Sequence, residues 1–328
     1  MLLPGNFKHI AGISLVALGL VGFGFFLAVL QPVALPVRAE GKTFVVRPGD
    51  GFRDIADRLA QARLIRSAAA FKFLSVITGS AGAIKPGGYL LRSDASSATI
   101  LKTLVRGDGR EIEVRIPEGA SLYETDSLLA ENGILERGAL TQFAAALSPE
   151  NTEGRLFPDT YRFFIASEPR DVVQKFLAAF EEKAQPLLDQ NPKKAQANLI
   201  LASLIEREVP DMHDRRVVAG MLLKRLASKM PLQVDATVCY AKEIRDGHDG
   251  ACHPITASDL KIDSPYNTYL YAGLPPGPIG SPGREAIQAA LTPLDSPYWF
   301  YLSDPLTKKT IFSVTLEEHA ANRAKYLK

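Results

Sequence analysis

The strongest constraint on this 328-residue chain is an uncharged apolar run near its start, IAGISLVALGLVGFGFFLAVL, from Ile10 to Leu30. At about 1.5 Å of rise per residue, a helix of this length spans roughly 30 Å, the hydrocarbon thickness of a bilayer. A cleaved signal peptide is the alternative, because Val37 and Ala39 suit the small-residue positions of a cleavage site. The run exceeds a usual signal-peptide core, so we expect a retained transmembrane helix over 10–30.

The charge balance excludes one class of partner. Lys and Arg number 38 and Asp and Glu number 36, which leaves a net charge of +2. No run of basic residues with interleaved aromatics occurs, so we expect no nucleic-acid partner. With either interpretation of the apolar run, nearly the whole chain is exported.

The chain has two cysteines, Cys239 and Cys252, separated by a polar stretch. In an exported protein this spacing suits a disulfide that closes the intervening loop. A zinc site with His248 and His253 is the alternative, but the paired spacing of a closed Cys/His site is missing. We therefore favour the disulfide and expect no metal.

After a proline-containing linker, 31–42, the chain contains the same strand–turn–helix pattern twice. The first copy runs over Thr43–Ile65 and the second over Val114–Leu135, with Gly49 matching Gly119 at the turn. Convergence of two common segments is as good an explanation as duplication. The first helix carries apolar residues at i, i+3, i+4 and i+7 spacing: Phe52, Ile55, Ala56 and Leu59.

The V-x-P-G-D turn of the first copy resembles a LysM module, a small βααβ fold that binds the N-acetyl sugars of cell-wall glycans. The resemblance covers Thr43 to Ser93, and we assign a LysM-like module to 43–110 and a second strand–turn–helix subdomain to 111–165. That subdomain ends in EGRLFPDTY, from Glu153 to Tyr161. This stretch is typical of a structured corner, although Phe157 and Tyr161 are also candidates to line a sugar-binding groove.

The stretch LILASLIEREVP, Leu199 to Pro210, places two glutamates at the end of an apolar helix. On a continued helix Glu206 lies over Ala202 and Ser203, while Glu208 points about 200° away, so the pair cannot serve one substrate atom. Small neighbours predict open space above Glu206, where an apolar wall raises the pKa of a carboxyl toward that of a general acid. Glu208 is most simply a solvated helix end.

Two later segments carry polar and aromatic groups suited to glycans. MPLQVDATVCY, Met230 to Tyr240, presents side chains at alternate positions, and DSPYNTYLYAGLPPGPIGSPG, Asp263 to Gly283, forms a rigid loop rich in Pro, Gly and Tyr. The candidate substrate-binding residues in these segments are Gln233, Asp235, Thr237, Tyr266, Asn267 and Tyr269.

Four motifs in order, SLIERE, MPLQVDATV, SPYNTYLYAGLPPGPI and FSVTLEEH, resemble the MltG family, the YceG-like endolytic murein transglycosylases. The resemblance implies an α+β catalytic domain over 166–328. It also implies a single-pass inner-membrane protein with a cytoplasmic N-terminus, 1–9, and a periplasmic catalytic domain. In this family pattern the first glutamate of the E-x-E pair, here Glu206, is the catalytic one. The chain departs from the usual Asp-Pro-Thr by having Ala236 between Asp235 and Thr237.

The implied reaction needs one carboxyl group and no cofactor. A protonated Glu206 donates to the glycosidic oxygen between MurNAc and GlcNAc, then removes the proton of the MurNAc C6 hydroxyl as 1,6-anhydro-MurNAc forms. The expected partners are glycan strands of peptidoglycan, the membrane, and peptidoglycan synthases and division proteins. Two alternatives stay open: a hydrolytic muramidase that uses Asp235 as a second carboxylate, and a non-catalytic peptidoglycan-binding division scaffold.

Overall fold

The computed structural model describes residues 24, 26–33, 41–47, 49–107, 109, 111–147, 152–247, 252, 255–307 and 309–327. Most of the predicted transmembrane helix, 10–30, lies outside these residues, as do most of the linker and both histidines of the zinc alternative. Within the described part of the chain, no helix combines the length and apolar character that a membrane crossing needs. Membrane anchoring therefore stays a prediction.

The described chain is a mixed α+β protein with two-stranded sheets, as the sequence predicts, and it divides into two compact units. The first unit comprises Met1–Ile112 and Phe163–Ser167, and the second Glu113–Arg162 and Glu168–Lys328. The stretch predicted as a separate subdomain, 111–165, thus belongs mostly to the same unit as the predicted catalytic domain.

In the first unit, strand β1 pairs antiparallel with β2, and Phe44 lies opposite Tyr89. The strands flank two helices in the βααβ order that the LysM resemblance implies, and a third helix follows; that the module is a LysM domain stays a prediction. The elements are β1 Gly41–Val46, α1 Phe52–Gln61, α2 Ala68–Ile77, β2 Gly87–Arg92 and α3 Ser97–Arg106.

Strands β3 Glu111–Arg115 and β4 Thr160–Phe164 form a second two-stranded sheet, and the residues of each strand are divided between the two units. The second unit is mostly helical and contains a third two-stranded sheet, formed by β5 Phe300–Ser303 and β6 Thr310–Ser313. Its helices are α4 Leu122–Glu131, α5 Ala139–Leu147, α6 Pro169–Lys183, α7 Gln185–Leu188, α8 Ala195–Glu206, α9 Met212–Ala227, α10 Asp235–Asp246, α11 Arg284–Leu291 and α12 Leu316–Tyr326.

The two strand–turn–helix copies have the same local geometry. Leu59 and Leu129 are both fully buried near the ends of their helices. Each accepts a backbone hydrogen bond from the residue five positions on, at 3.0 Å in α1 and 2.9 Å in α4. The residue just before each donor has a positive φ, 56° at Arg63 and 68° at Gly133. The matching sequence pattern therefore codes for the same helix end in both places.

Helix α8 forms the centre of the second unit. All residues from Leu199 to Ile205 are buried, and α9 and α11 pack against it. Burial of a helix on every side leaves only its ends free to present polar groups. Glu206, at the C-terminal end of α8, therefore lies at the edge of the main apolar core.

Candidate active site

The two glutamates of the E-x-E pair separate because α8 ends between them. Glu206 is the last helical residue, and Arg207 is the C-cap. Glu208 consequently leaves the helix, and its direction is set by the turn and not by the 100° step of a continued helix. The two carboxylates do face different surroundings, as predicted, and the expected rise in the pKa of Glu206 through burial is confirmed. The open space expected above Glu206 and the solvated position expected for Glu208 are not found.

Glu206 is enclosed in a buried salt bridge. Its side chain is 3% exposed and that of its partner Arg215 is 6% exposed, with 2.5 Å between the guanidinium Nη2 and the carboxylate Oε1. The Gly283 N–H donates to the other carboxylate oxygen at 2.9 Å. Burial raises the pKa of Glu206, and the Gly283 N–H and Arg215 oppose that rise. Each of its two carboxylate oxygens thus accepts a hydrogen bond from a protein group.

The open space expected above Glu206 does not exist. Ala202 and Ser203 are fully buried. The Ser203 hydroxyl donates to the Ile200 carbonyl at 2.7 Å and accepts the Ile279 N–H at 3.1 Å. The Pro/Gly-rich loop around Ile279 therefore covers this face of α8. That expectation was wrong because it rested on side-chain sizes within one helix and could not include a loop some seventy residues further along the chain.

Glu208 has the environment that was predicted for Glu206. Its carboxylate accepts the Tyr301 hydroxyl at 2.5 Å and a backbone hydrogen bond from Ala236. Burial raises the pKa of Glu208 to about 7, and the nearby Asp235 carboxylate contributes to the rise. The prediction of a solvated helix end for Glu208 was therefore wrong.

Glu208 also lines a cavity of about 1410 Å³ in the second unit. Glu206 does not contribute to its wall. The cavity walls carry carboxylates, guanidinium groups, aromatic rings and the disulfide in one continuous surface. The lining residues are Glu124, Arg207, Glu208, Arg225, Gln233, Asp235, Ala236, Cys239, Glu243, Cys252, Tyr269, Phe300, Tyr301, Leu302, Ser303, Pro305, Leu316, His319, Arg323 and Leu327.

Three of the predicted substrate-binding residues line this cavity: Gln233, Asp235 and Tyr269. The Tyr269 hydroxyl donates to the Asp235 carboxylate at 2.5 Å. Gln233 is exposed and holds a positive φ of 52°, unusual for a residue with a Cβ. Its N–H donates to the Thr268 carbonyl at 3.1 Å, which ties the segment before α10 to the tyrosine-rich loop.

The other three predicted substrate-binding residues do not line the cavity. Thr237 is fully buried, and its hydroxyl bonds the Val234 carbonyl and the Thr268 hydroxyl. Asn267 is also fully buried. Its amide donates to the carbonyls of residues 260 and 262 and accepts the N–H of Tyr269. These polar groups shape the loop and are unavailable to a ligand.

Tyr266 packs against Tyr240 with ring centroids 4.8 Å apart, in the aromatic layer beneath the loop. Phe157 and Tyr161 are likewise buried, at 5% and 8% exposure, and the Tyr161 hydroxyl donates to the Phe157 carbonyl. The structured corner is confirmed, and the suggestion that these two rings line a groove was wrong.

Several groups of chemical interest were missed. Tyr301, Arg225, His319 and Arg323 line the cavity, but none of them was a candidate site residue, although His319 ends the FSVTLEEH motif. Glu153 is buried, accepts the Tyr240 hydroxyl at 2.8 Å and has its pKa raised to about 7 by burial. All of these groups owe their surroundings to residues distant in the sequence, and no local pattern predicts such contacts.

The structure joins Cys239 and Cys252 in a disulfide, with 5.3 Å between their Cα atoms. Cys239 lies within α10, so the bond fixes one end of the loop that follows this helix. Both residues contribute to the cavity wall. The disulfide therefore holds part of the wall in place.

Comparison with known proteins places these features in a family. The model of the YceG-like family matches residues 44–325. The endolytic murein transglycosylase of Bacillus subtilis is 29% identical to this chain over 89% of it and 87% of the relative. That of Streptococcus pneumoniae strain D39 is 28% identical over 89% of this chain, which spans only 60% of the streptococcal protein. A crystal structure of a YceG-like protein from Listeria monocytogenes has 28% sequence identity and a TM-score of 0.53, covering 86% of this chain and 99% of that one. The chain belongs to the YceG-like family.

Proposed function

We propose that this chain is an endolytic murein transglycosylase, a lyase that cleaves the β-1,4 bond between MurNAc and GlcNAc and leaves 1,6-anhydro-MurNAc ends on nascent glycan strands. The observation that carries the mechanism is the Glu208 carboxyl, enclosed at the wall of a large cavity with its pKa raised to about 7. The relatives named for this activity, which match most of the chain, support the same reaction.

Glu208 replaces Glu206 as the proposed catalytic residue. A general acid must reach the substrate and must hold a proton near neutral pH. Glu208 lines the cavity and meets both conditions, whereas the carboxylate of Glu206 is occupied by Arg215 and the Gly283 N–H. We assign Glu206 a positioning role instead, in which it ties the loop that ends at Gly283 to the end of α8.

In the first step, protonated Glu208 donates to the glycosidic oxygen as the bond from that oxygen to MurNAc C1 breaks. The departing GlcNAc gains a 4-hydroxyl, and positive charge develops on the MurNAc ring. The Asp235 carboxylate, held by the Tyr269 hydroxyl, is the cavity group best suited to stabilise that charge.

In the second step, the Glu208 carboxylate removes the proton of the MurNAc C6 hydroxyl while O6 bonds to C1. The acid is thereby restored and no water is consumed. The Tyr301 hydroxyl donates to Glu208 and fixes the orientation of the carboxyl. Burial and the Glu208 charge raise the pKa of Tyr301 well above its usual value, so this donor keeps its proton throughout.

The closest competing function is a hydrolytic muramidase, which a second carboxylate such as Asp235 makes chemically reasonable. Digestion of purified uncrosslinked glycan strands by wild type and by Glu208→Gln, followed by mass spectrometry, distinguishes the two. We expect wild type to produce ends that are one water lighter than reducing ends, and the variant to produce neither. Reducing ends alone would establish hydrolysis, and full activity of the variant would remove Glu208 from the mechanism.

We also propose that residues 10–30 anchor the chain as a single helix in the inner membrane, with its catalytic unit in the periplasm. The uncharged length of that run supports this arrangement. The LysM-like module, 43–110, would then hold glycan, and peptidoglycan synthases and division proteins are the proposed partners. Fractionation after alkaline carbonate extraction tests the anchor: release of the full-length chain into the soluble fraction would contradict it.

The scaffold alternative makes an opposite genetic prediction. A non-catalytic scaffold keeps its cellular role when Glu208 becomes glutamine but loses it when the LysM-like module is deleted. A catalytic role predicts instead that the cellular role is lost when Glu208 becomes glutamine. Complementation of a null strain with each variant, checked for equal protein levels, separates the two functions.

A further inference from the structure

The C-terminal helix α12 forms one wall of the cavity, and this wall is unused by the proposed chemistry. Three of its residues line the cavity, Leu316, His319 and Arg323, spaced by three and four residues, and its C-cap residue Leu327 lines it as well. That spacing places them on a single helix face. No residue of α12 is buried, so the face is open to a ligand occupying the cavity.

Arg323 provides a free positive charge on this face. It is exposed, and neither a hydrogen bond nor an ion pair occupies its guanidinium within the part of the chain that the structure describes. An arginine presents several donors in a planar fork that matches a carboxylate. A solvent-facing arginine without a partner in a ligand cavity is therefore available to bind an anion.

Arg225 adds a second positive charge at the cavity wall. Arg225 is 4% exposed. Among the described residues its guanidinium donates only to neutral backbone carbonyls: those of Trp299 at 2.9 and 2.5 Å and of Leu232 at 2.5 Å. Carbonyl oxygens satisfy its hydrogen bonds but do not neutralise its charge. A buried cation in this state favours a nearby anion.

His319 is a third polar group on this part of the cavity wall. Its ring stacks on Phe300 with centroids 5.2 Å apart, and its Nδ1 is buried with no hydrogen-bond partner in the described chain. A buried polar atom without a partner is costly unless a ligand satisfies it. Three of the carboxylates that line the same cavity have other partners: Tyr269 donates to Asp235, Tyr301 donates to Glu208, and Arg207 pairs with Glu124.

We propose that Arg323, with His319 and the fixed charge of Arg225, forms a subsite for a carboxylate carried by the muramic-acid side chain of the glycan. The inference rests on the proposed function and specifies its substrate. The backbone of N-acetyl sugars is neutral, so the charged groups of the substrate lie on the muramyl side chain. Its carboxylate is either the free lactyl group of a strand without peptides or a carboxylate of the stem peptide.

Binding to the full chain carrying Glu208→Gln, which prevents turnover, tests the subsite by calorimetry. Three ligands of equal length share the sugar backbone: peptide-free glycan, peptide-bearing glycan and a chitooligosaccharide, which has no carboxylate. Adding Arg323→Gln should weaken binding of a carboxylate-bearing glycan by about tenfold, the scale of one charge-assisted contact. The same substitution should leave chitooligosaccharide binding unchanged. Arg323→Lys should recover part of the loss.

Lys325→Gln is the matched control, because Lys325 lies on the same exposed helix but does not line the cavity. It should leave all three affinities unchanged, and thermal melting should show that every variant is folded. Weakening confined to peptide-free glycan assigns the lactyl carboxylate, and weakening confined to peptide-bearing glycan assigns the stem peptide.

Two results would overturn the subsite. One is that Arg323→Gln leaves the affinity for both carboxylate-bearing glycans within twofold of the parent, and the other is that Lys325→Gln weakens their binding equally. Wild-type cleavage is measured separately. A chain that binds these ligands normally but yields no anhydro ends would contradict the proposed function and leave the subsite standing.

Discussion

Replacing Glu208 and Glu206 by glutamine, one at a time, separates chemistry from structure at the E-x-E pair. Glutamine preserves the size of each side chain and removes its acid. For Glu208→Gln we expect kcat to fall by at least about a hundredfold, the lower end of what a general acid contributes. For folded Glu206→Gln we expect turnover to persist at a reduced rate, because that carboxylate does not line the cavity and acts only through the position of Glu208.

The two variants should also differ in stability. A carboxyl with a pKa near 7 in the folded protein and near 4.5 in the unfolded chain costs roughly 3 kcal/mol of folding free energy above pH 7. Glu208→Gln removes this cost but weakens the hydrogen bonds from Tyr301 and Ala236, each worth about 1 kcal/mol. At pH 8 the variant should therefore be at least as stable as wild type.

Glu206→Gln should have the opposite effect on stability. It leaves the buried Arg215 guanidinium with only the exposed Glu285 carboxylate, at 3.3 Å, as an ionic partner. Removing one member of a buried salt bridge costs about 3–5 kcal/mol. The free energy of unfolding should fall by this amount in urea denaturation at pH 8, and the amide oxygen can still accept the Gly283 N–H.

The assay is the rate of anhydro-end formation on uncrosslinked glycan strands, normalised to the folded fraction under the same conditions. One outcome would refute the assignment. If Glu208→Gln retains more than a tenth of wild-type turnover, and well-folded Glu206→Gln has none, then Glu206 is the acid and the reasoning from burial and cavity contact fails.

Three further outcomes are expected. Because Glu208 must be protonated and has a pKa of about 7, kcat/KM should fall as pH rises through 7, and a flat rate from pH 6 to 9 would contradict this role. The raised pKa of Glu208 also contributes to folding stability below pH 4.5, and this contribution is lost between pH 4.5 and 7. Reducing the bond between Cys239 and Cys252, 13 positions apart, should lower the free energy of unfolding by about 2–3 kcal/mol, measured with and without reductant. Gly280→Ala should destabilise by about 2 kcal/mol or more because its Cβ would collide with a backbone carbonyl, whereas Gly82→Ala, with open space around it, should change the melting temperature little.

Local patterns in the sequence were sufficient for several elements of the fold. The apolar spacing in α1 placed Ile55, Ala56 and Leu59 on the buried face, where the structure has them. The duplicated pattern also gave the same helix end twice. These predictions succeeded because periodicity and turn residues act over a few positions.

The site was only partly predictable, because its polar groups are sorted by tertiary contacts. Asp235 and Asn267 belong to equally promising motifs, yet Asp235 faces the cavity and Asn267 is consumed by backbone groups of its own loop. Tyr301 acquires its importance from Glu208, far earlier in the chain. Nothing in the residue types alone distinguishes a polar group that binds a ligand from one that shapes a loop.

The expected direction of Glu208 was wrong because of one particular step, the assumption that α8 continues through this residue. A helix that ends at Glu206 frees the next two residues from its periodicity. Pro210 lies just beyond and is compatible with this ending. The sequence thus contained a sign of the ending, but not the direction in which each side chain leaves it.

Three consecutive side chains then leave the helix end in three directions, and together they fix the position of Glu208. Glu206 binds Arg215 and the Gly283 N–H. Arg207 pairs with Glu124 at 3.0 Å, and Glu208 meets the Tyr301 hydroxyl. An acid held on both sides along the backbone and at its own carboxyl pays little orientational entropy when substrate arrives. The E-x-E pair is therefore best explained as an acid, Glu208, and an adjacent positioning residue, Glu206. A substitution of Glu206 should change the rate by moving Glu208 and not by changing its protonation.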